Sequence, residues 1–264
     1  MIEEVHSVTV AGGGSWGTAL AHHLASLGIA TTLWLRDEAT ARAISRHHEN
    51  RRYLPGLPLH PELRATTDEA CLSCPAVLLA IPCQQLRGWL SKHRGALRPD
   101  GVFINAAKGI EKGSLATPSR MVREVLGEGA RFAALSGPSF AKEVMRNLPT
   151  AVTLASEDAP LCQTLRNRLS GPAFRCYSSA DVIGVELGGA LKNVMAIAAG
   201  ICDGLGLGHN SRAALITRGL AEISRIGVAS GASAATFMGL SGLGDLTLTC
   251  TGDLSRNRQV GLRL

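Results

Sequence analysis

The 264-residue sequence predicts an α/β protein, with a mostly parallel sheet followed by an all-α part. Strand-like runs alternate with helical segments in the first part of the chain, and such alternation is typical of doubly wound parallel sheets. Two long helical patterns then follow without an intervening strand, from Asp181 to about Gly206 and from Ser211 to Ala229. We therefore predict two domains, residues 1–178 and 179–264.

The individual elements are predicted from short apolar runs and from helical spacing. The predicted strands are Val5–Ala11, Thr31–Leu35, Ala76–Ile81, Val102–Asn105, Arg131–Leu135, Thr150–Ala155 and Ala173–Tyr177. Apolar residues at helical spacing predict helices over Ser15–Leu27 and Gln84–Leu97. The glycine-rich segment Gly239–Gly252 is predicted to be a loop lined by polar groups, and Ser255 is predicted to be the N-cap of a new helix.

A glycine-rich turn with the spacing GxGxxG follows the first strand. Gly12 allows a tight turn, Gly14 lets backbone N–H groups approach a pyrophosphate, and Gly17 lets helix and strand pack closely. The phosphates would lie at the helix N-terminus, beside Ser15 and Trp16, where unpaired N–H groups favour negative charge. The turn predicts a Rossmann-type dinucleotide site, and a purely structural turn is the alternative.

The end of the second predicted strand bears on which dinucleotide binds. A Rossmann site for NAD usually carries an acidic residue here, about 20 residues after the glycines, to bind the ribose hydroxyls. Arg36 stands at this position and is followed by Asp37. An arginine suits a 2′-phosphate and favours NADPH, whereas Asp37 keeps NADH possible. The alternative is that Arg36 is only a solvated surface charge.

Lys192 is the second informative residue, because it lies in a helical segment that is apolar nearly all round. The residues three and four positions from it are uncharged; they are Gly188, Gly189, Met195 and Ala196. A buried lysine without a partner is costly, so it must pair with a distant group or lose its proton. This favours a functional role for Lys192, and the alternative is a lysine that extends to the surface from the helix edge.

Composition narrows the class of ligand and the compartment. The net charge of +6 favours anionic ligands, and the scattered basic residues with only 4% aromatic residues favour a small phosphorylated ligand over nucleic acid. Seven cysteines without a disulfide spacing, one lone CxxC pair (Cys71 and Cys74) and no signal peptide favour a reducing cytoplasm. No apolar segment is expected to be long enough to span a membrane, and the histidines show no metal-site spacing, so no metal is expected.

Taken together, these motifs resemble the NAD(P)-dependent glycerol-3-phosphate dehydrogenase family. The segments that carry the resemblance are Gly12–Gly17, Tyr53–Gly56, Ala107–Glu111, Ser136–Ala141, Leu191–Asn193 and Gly242–Asn257. The resemblance covers essentially the whole chain and implies a Rossmann domain followed by a helical domain, with the active site between them and a homodimer as the assembly. It implies interconversion of dihydroxyacetone phosphate and sn-glycerol 3-phosphate with NAD(P)H, which feeds glycerophospholipid synthesis.

The resemblance also implies roles for single residues. Lys192 matches the catalytic general acid/base, and Lys108 together with desolvation should lower its pKa from the usual ~10.4. The implied substrate-binding residues are Lys108, Gly137, Ser139, Asn193, Asp245, Thr249, Ser255, Arg256 and Asn257. The implied cofactor-binding residues are Gly12, Gly14, Ser15, Trp16, Gly17, Arg36, Tyr53, Lys108, Ala141 and Arg256. From the residues alone, Asp245 is equally compatible with a turn and Ser255 with a purely structural cap.

Two other functions stay open at this point. One is a β-hydroxyacid dehydrogenase of the 6-phosphogluconate or 3-hydroxyisobutyrate kind, although the adjacent Lys192 and Asn193 and the sequence Ser136–Pro138 argue against it. The other is a nucleotide-binding module without catalysis, which has no need of a buried lysine. Family members continue with further helices after the position of Leu264, so the sequence is expected to describe a shortened form.

Overall fold

A single eight-stranded sheet organises the first part of the chain in the computed structural model, which describes residues 6–264. The strands are β1 (Ser7–Ala11), β2 (Ala30–Trp34), β3 (Arg64–Thr66), β4 (Ala76–Leu79), β5 (Val102–Asn105), β6 (Arg131–Ser136), β7 (Thr150–Ala155) and β8 (Phe174–Ser179). Their order is β3-β2-β1-β4-β5-β6-β7-β8, and every neighbouring pair is parallel except β6 with β7. The chain changes direction across the sheet between β1 and β4, and ligands of such sheets bind at this switch point.

Helices cover both faces of the sheet and form the rest of the chain. They are α1 (Ser15–Ser26), α2 (Glu38–His47), α3 (Cys83–His93), α4 (Pro118–Leu126), α5 (Ala141–Met145), α6 (Ala159–Leu169), α7 (Val182–Gly204), α8 (Gly208–Ala229), α9 (Ala234–Phe237), α10 (Asp245–Thr251) and α11 (Arg256–Gly261). A 3-10 helix covers Glu69–Ser73, and a π-helix covers Leu240–Gly244. The predicted doubly wound architecture, followed by helices, is confirmed.

Three groups of buried apolar side chains form the core. On one face of the sheet, Leu20 and Leu24 of α1 pack with the side chains of β1, β2 and β4–β8. On the opposite face, Leu86 of α3 and Phe103 of β5 pack with α4 and the beginning of α7. A third cluster around the fully buried Phe237 joins α7, α8 and α10. The beginning of α7 thus belongs to the sheet core, and its later turns belong to the helical core.

Most predicted elements are confirmed, with ends that differ by no more than two residues for the strands. Val5, the predicted first residue of β1, lies outside the described residues. Strand β3 was not predicted, because three residues at the sheet edge are too few to show an alternating pattern. Ser255 is the N-cap of α11, since its hydroxyl accepts a hydrogen bond from the backbone N–H of Arg258 at 3.2 Å. Leu264 follows the end of α11.

The prediction of a loop over Gly239–Gly252 is wrong, because this segment contains the π-helix and α10. Gly242 of this segment is needed for close packing and not for a turn. A Cβ atom on Gly242 would lie 2.1 Å from the carbonyl oxygen of Phe237, and one on Gly188 of α7 would lie 2.5 Å from that of Ser241. The absence of side chains therefore lets helices approach at backbone distance, which composition alone does not distinguish from a loop.

The prediction that no segment is long and apolar enough to span a membrane is also wrong by length and composition. Helix α7 meets both criteria, and 61% of its most apolar 18-residue window is buried inside the protein. The helix contacts α8, α10, α11 and β6. An apolar surface all round is expected for a helix that is packed against protein on several sides.

Glu186 connects α7 to α4 through a buried carboxylate. It accepts hydrogen bonds from the backbone N–H of Ser119 at 2.8 Å and from Ser119 Oγ at 2.5 Å. Ser119 lies in the first turn of α4, and Thr117, the N-cap of that helix, makes no side-chain capping bond, so Glu186 supplies the acceptor. Burial raises the pKa of Glu186 to about 7, and the hydrogen bonds from Ser119 offset this only in part.

Glu186→Gln is expected to change the pH dependence of stability. Because the pKa of Glu186 in the folded protein lies above the ordinary 4.5, its contribution to stability is complete below pH 4.5 and is lost as the pH rises through about 7. A neutral amide does not ionise and does not suffer this loss. Between low pH and about pH 8, the free energy of unfolding of the variant should therefore rise by up to about 3 kcal/mol relative to that of the wild type. Urea unfolding at both pH values measures the difference. The exposed Glu128→Gln is the control, and parallel pH profiles for Glu186→Gln and wild type would contradict the prediction.

Candidate active site between the sheet and the helical part

Lys192 lies near the middle of α7 and is buried, with 7% of its surface exposed. Its Nζ donates hydrogen bonds to Asp245 Oδ1 and, at 2.8 Å, to Thr249 Oγ1. Asp245 is the first residue of α10, and Thr249 lies one turn later, so both side chains point from one helix face towards α7. The partner required for a buried lysine is therefore found 53 residues further along the chain.

A second lysine approaches the same carboxylate from the sheet. Lys108 follows β5, and its Nζ donates to Asp245 Oδ2 at 2.5 Å and to the carbonyl oxygen of Gly137 at 3.0 Å. Gly189 of α7 makes room for this approach, because a Cβ atom there would lie 2.7 Å from Ser136 Oγ and 3.4 Å from Lys108 Cγ. One buried carboxylate thus joins two ammonium groups, one from each part of the chain.

The electrostatics of this cluster act mainly on Lys192. Burial and the nearby ammonium group of Lys108 lower the pKa of Lys192 to about 7, against the opposing effect of Asp245. A lysine with this pKa exchanges a proton readily near neutral pH, which an ordinary lysine does not. The expectation of a lowered pKa, made from Lys108 and desolvation, agrees with this result.

One further hydrogen bond shares an acceptor with the cluster, and another involves the residue that follows Lys192 in sequence. On the sheet side, Ser139 Oγ donates to the carbonyl oxygen of Gly137 at 3.0 Å, the same oxygen that Lys108 contacts. On the helical side, Asn257 Nδ2 of α11 donates to Asn193 Oδ1 of α7 at 2.8 Å.

Arg256, Ala141 and Ser255 make no hydrogen bond to this cluster in the described part of the chain. Arg256 is exposed beside Asn257, Ala141 begins α5, and the buried Ser255 uses its hydroxyl as a cap.

The glycine-rich turn has the geometry that its spacing predicts. Gly12 has a φ of +125°, and a Cβ atom on Gly17 would lie 1.9 Å from the carbonyl oxygen of Gly12, so α1 can start here only without that side chain. Gly14 is different, because a Cβ atom there would have no atom within 4 Å. Space is therefore open at Gly14, on the N-cap of α1, where backbone N–H groups are available to an anion.

A short segment after α2 lies against this turn. Ser15 Oγ donates to the carbonyl oxygen of Tyr53 at 3.3 Å, and Asn50 Nδ2 donates to the carbonyl oxygen of Gly13 at 3.0 Å and to Thr18 Oγ1 at 2.9 Å. Asn50 is almost fully buried, and the sequence analysis missed it because it stands in a charged, exposed run. Trp16 Nε1 is buried and has no hydrogen-bond partner in the described part of the chain.

The two residues that bear on the dinucleotide have different surroundings. The Asp37 carboxylate caps α2 by accepting a hydrogen bond from the backbone N–H of Thr40 at 2.7 Å. Hydrogen bonds from the side chain and the backbone of Thr40 lower the pKa of Asp37. Arg36 is exposed next to it. Both side chains are thus exposed, and Asp37 uses one carboxylate oxygen, Oδ2, to cap α2.

Within residues 6–264, no group of three or more His, Cys, Asp and Glu side chains is arranged to bind a metal ion. All seven cysteines are free.

Comparison with known proteins identifies the family. The model of the NAD-dependent glycerol-3-phosphate dehydrogenase N-terminus matches residues 7–162, and that of the C-terminus matches residues 181–264. The chain belongs to this family. The resemblance inferred from the sequence motifs is therefore confirmed, and the family has NAD(P) as its cofactor.

Curated relatives and solved structures agree with the family models. A glycerol-3-phosphate dehydrogenase (NAD(P)+) of Desulfovibrio desulfuricans is 69% identical over 259 residues, which cover 98% of this chain and 78% of the relative. One from Nitratidesulfovibrio vulgaris is 59% identical over 260 residues, covering 97% of this chain and 79% of the relative. The crystal structure of glycerol-3-phosphate dehydrogenase from Coxiella burnetii has a TM-score of 0.92 at 42% identity, covering 97% of this chain and 79% of that one.

Gly14 and Gly17 of the glycine-rich turn are expected to respond differently to replacement by alanine. Gly17→Ala forces a Cβ against Gly12 and should lower the free energy of unfolding by about 1–3 kcal/mol. Gly14→Ala has room for its methyl group in the free protein and should retain stability. The same methyl group would occupy the approach to the pyrophosphate and should weaken NADPH binding roughly tenfold.

Urea unfolding and titration of NADPH fluorescence measure the two effects. Wild-type NADPH affinity in a folded Gly14→Ala variant would contradict the assignment of this turn as the pyrophosphate site.

Proposed function

We propose that the protein interconverts dihydroxyacetone phosphate and sn-glycerol 3-phosphate with NAD(P)H, and that Lys192 is its general acid/base. The observation that carries this proposal is the buried Lys192, held by Asp245 and Thr249 beside Lys108. The family of the chain and the names of its relatives support the same reaction. A binding module without catalysis would gain nothing from a buried lysine with a pKa near neutrality.

The chemistry divides between the cofactor and the protein side chains. The nicotinamide, when bound, supplies a hydride to the C2 carbonyl carbon and is itself oxidised. Lys192 Nζ donates a proton to the C2 oxygen, so that the products are the alcohol and a neutral amine that regains its proton from water. Asp245 and Thr249 fix the position of Nζ, and the ammonium of Lys108 stabilises negative charge that develops on the oxygen. In the oxidative direction, neutral Lys192 removes the hydroxyl proton.

Substrate recognition is assigned to the residues around this cluster. Lys108, Gly137 and Ser139 contact the substrate from the sheet side, and Asn193 and Thr249 contact it from the helical side. From α11, Arg256 and Asn257 bind the phosphate, with the capping Ser255 and the orienting Asp245 in supporting positions. The Asn193–Asn257 hydrogen bond supports this grouping, because it holds the beginning of α11 beside the residue that follows Lys192.

The cofactor is assigned to the glycine-rich turn, where the open space at Gly14 fits a pyrophosphate. The proposed contacts are Gly12, Gly14, Ser15, Trp16, Gly17, Arg36, Tyr53, Lys108, Ala141 and Arg256. We assign a preference for NADPH, because Arg36 is exposed at the end of β2 while the carboxylate of Asp37 is engaged in capping α2. A guanidinium binds a 2′-phosphate through charge-assisted hydrogen bonds.

We extend the proposal to organisation and cellular role. The domain division at residue 179 is supported by the end of β8 at Ser179 and the start of α7 at Val182. A homodimer is supported by large exposed apolar side chains in the helical part, among them Val194 and Leu207. A cytoplasmic location is supported by free cysteines, and the product is assigned to glycerophospholipid synthesis.

Lys192→Met tests the reaction and the role of the amine together. The variant keeps most of the packing volume but has no proton to donate, so turnover of dihydroxyacetone phosphate should fall about 100- to 10,000-fold while NADPH affinity stays near normal. In the wild type, reductive turnover should fall, and oxidative turnover should rise, as the pH increases through about 7, because reduction needs the protonated amine.

The absorbance of NADPH at saturating substrate measures these rates. The exposed Lys92→Met is the control for loss of a lysine. Near-normal turnover of Lys192→Met, or wild-type protein that never oxidises NADPH in the presence of dihydroxyacetone phosphate, would overturn the proposed function.

Arg36→Ala tests the cofactor preference. Loss of a charge-assisted contact to the 2′-phosphate should weaken NADPH binding about tenfold or more and leave NADH binding nearly unchanged. Arg42→Ala on α2 is the matched control, since Arg42 is exposed and is paired with Glu38 at 2.6 Å. Direct titration of each protein with both dinucleotides measures the result. Equal weakening of NADH and NADPH by Arg36→Ala would contradict the assignment.

A further inference from the structure

Asp203, near the end of α7, holds α11 through a buried pair of charges. Its carboxylate accepts a hydrogen bond from Arg258 Nε of α11 at 2.9 Å, and Arg258 Nη2 lies 2.8 Å from the same oxygen as an ion pair. It also accepts hydrogen bonds from Arg212 Nη1 of α8 at 2.8 and 3.0 Å. The side chains of Asp203 and Arg258 are only 12% and 11% exposed. This carboxylate therefore joins α7, α8 and α11 where water is largely excluded.

The backbones of α7 and α11 are also in direct contact at two glycines. A Cβ atom on Gly261 of α11 would lie 2.1 Å from the carbonyl oxygen of Ile197, and a Cβ atom on Gly200 of α7 would lie 2.1 Å from that of Arg258. Helix α11 has only six residues, which is too short for independent stability. Its position is therefore set by the contacts with α7 and not by its own hydrogen bonds.

Arg258 is adjacent in sequence to the residues that the proposed function assigns to the substrate phosphate. Asn257 contacts Asn193, next to Lys192, and Arg256 is free of protein partners in the described part of the chain. A shift of Arg258 would carry both residues with it, because all three lie in the first turn of α11. The distance between the phosphate-binding side chains and Lys192 thus depends on the Arg258 contact.

Asp203 and Asp253 both contact Arg258, but they differ in burial, so their effects on α11 can be compared. Asp253 contacts Arg258 Nη1 at 2.9 Å but is 91% exposed, and such surface pairs contribute little. For Asp203, burial opposes ionisation, and the guanidinium groups of Arg258 and Arg212 outweigh it and lower the pKa. Asp203 is consequently charged in the physiological range and largely buried, while the contact of Asp253 with Arg258 lies in solvent.

We propose that Asp203 is a positioning residue for substrate binding. By anchoring Arg258, it fixes α11 on α7 and sets the distance at which Arg256 and Asn257 hold the substrate phosphate relative to Lys192. The inference rests on the proposed function, because it concerns the phosphate of that substrate.

The test compares Asp203→Asn with Asp253→Asn on substrates with and without the phosphate. Asp203→Asn should raise the KM for dihydroxyacetone phosphate about tenfold or more, since small misplacements of binding groups have large effects. The kcat/KM for unphosphorylated dihydroxyacetone should change by less than about twofold, because this substrate has no phosphate for α11 to bind. Asp253→Asn should match the wild type in every measurement. Asp203→Glu keeps the charge but displaces α11, and it should show the same pattern. It is used in place of Asp203→Asn if that variant does not fold.

Each outcome either supports or overturns the inference. A selective rise in the KM for the phosphorylated substrate supports it. An unchanged KM, or equal losses with dihydroxyacetone phosphate and dihydroxyacetone, overturns it, since the second result indicates a general structural defect. Wild-type protein without activity on dihydroxyacetone phosphate is recognised before any variant is compared and overturns the proposed function as well.

Discussion

The site depends on the carboxylate of Asp245, because two ammonium groups, one buried and one half-buried, both pair with it. Lys192 reaches it from α7 and Lys108 reaches it from the end of β5. Removing a carboxylate from water is costly, and good geometry with several donors is needed to compensate. Both oxygens of Asp245 are occupied here, one by each lysine. The contact between the sheet and the helical part is therefore electrostatic at the place where the chemistry is proposed.

Glycines of α7 make this arrangement possible. Gly188 lets the π-helix before Asp245 approach at backbone distance, Gly189 accommodates Lys108 and Ser136, and Gly200 accommodates α11. Glycine lowers the intrinsic stability of a helix by about 1 kcal/mol per residue, so such a helix needs tertiary packing to persist. The helix is packed against its neighbours on several sides, which also explains why its composition resembles that of a membrane span. The glycines of α7 and its buried apolar residues thus both follow from the close approach of other elements.

Local patterns in the sequence predicted the features that depend on neighbouring residues. The turn at Gly12–Gly17, the capping by Ser255 and most strands belong to this class. The need of Lys192 for a distant partner was also predictable, but Asp245 was reached only through the family resemblance, because contacts between residues 53 positions apart leave no spacing signal. The glycine-rich segment before Asp245 was misinterpreted as a loop for a related reason. Its glycines respond to atoms of other elements, and a single sequence does not show where those atoms lie.

Burial and the sharing of Asp245 together explain how Lys192 can exchange protons near neutrality. A buried lysine paired with its own carboxylate would be held in the charged form, because the ion pair stabilises the ammonium. Here burial disfavours the charged form of Lys192, and the second ammonium, from Lys108, acts in the same direction because it competes for the same carboxylate and repels the charge on Lys192. The same aspartate that orients Lys192 is thereby prevented from fixing its proton. Orienting Lys192 requires a carboxylate close to its amine, whereas proton transfer requires that this carboxylate does not hold the amine in the charged form. The second lysine, together with burial, allows both.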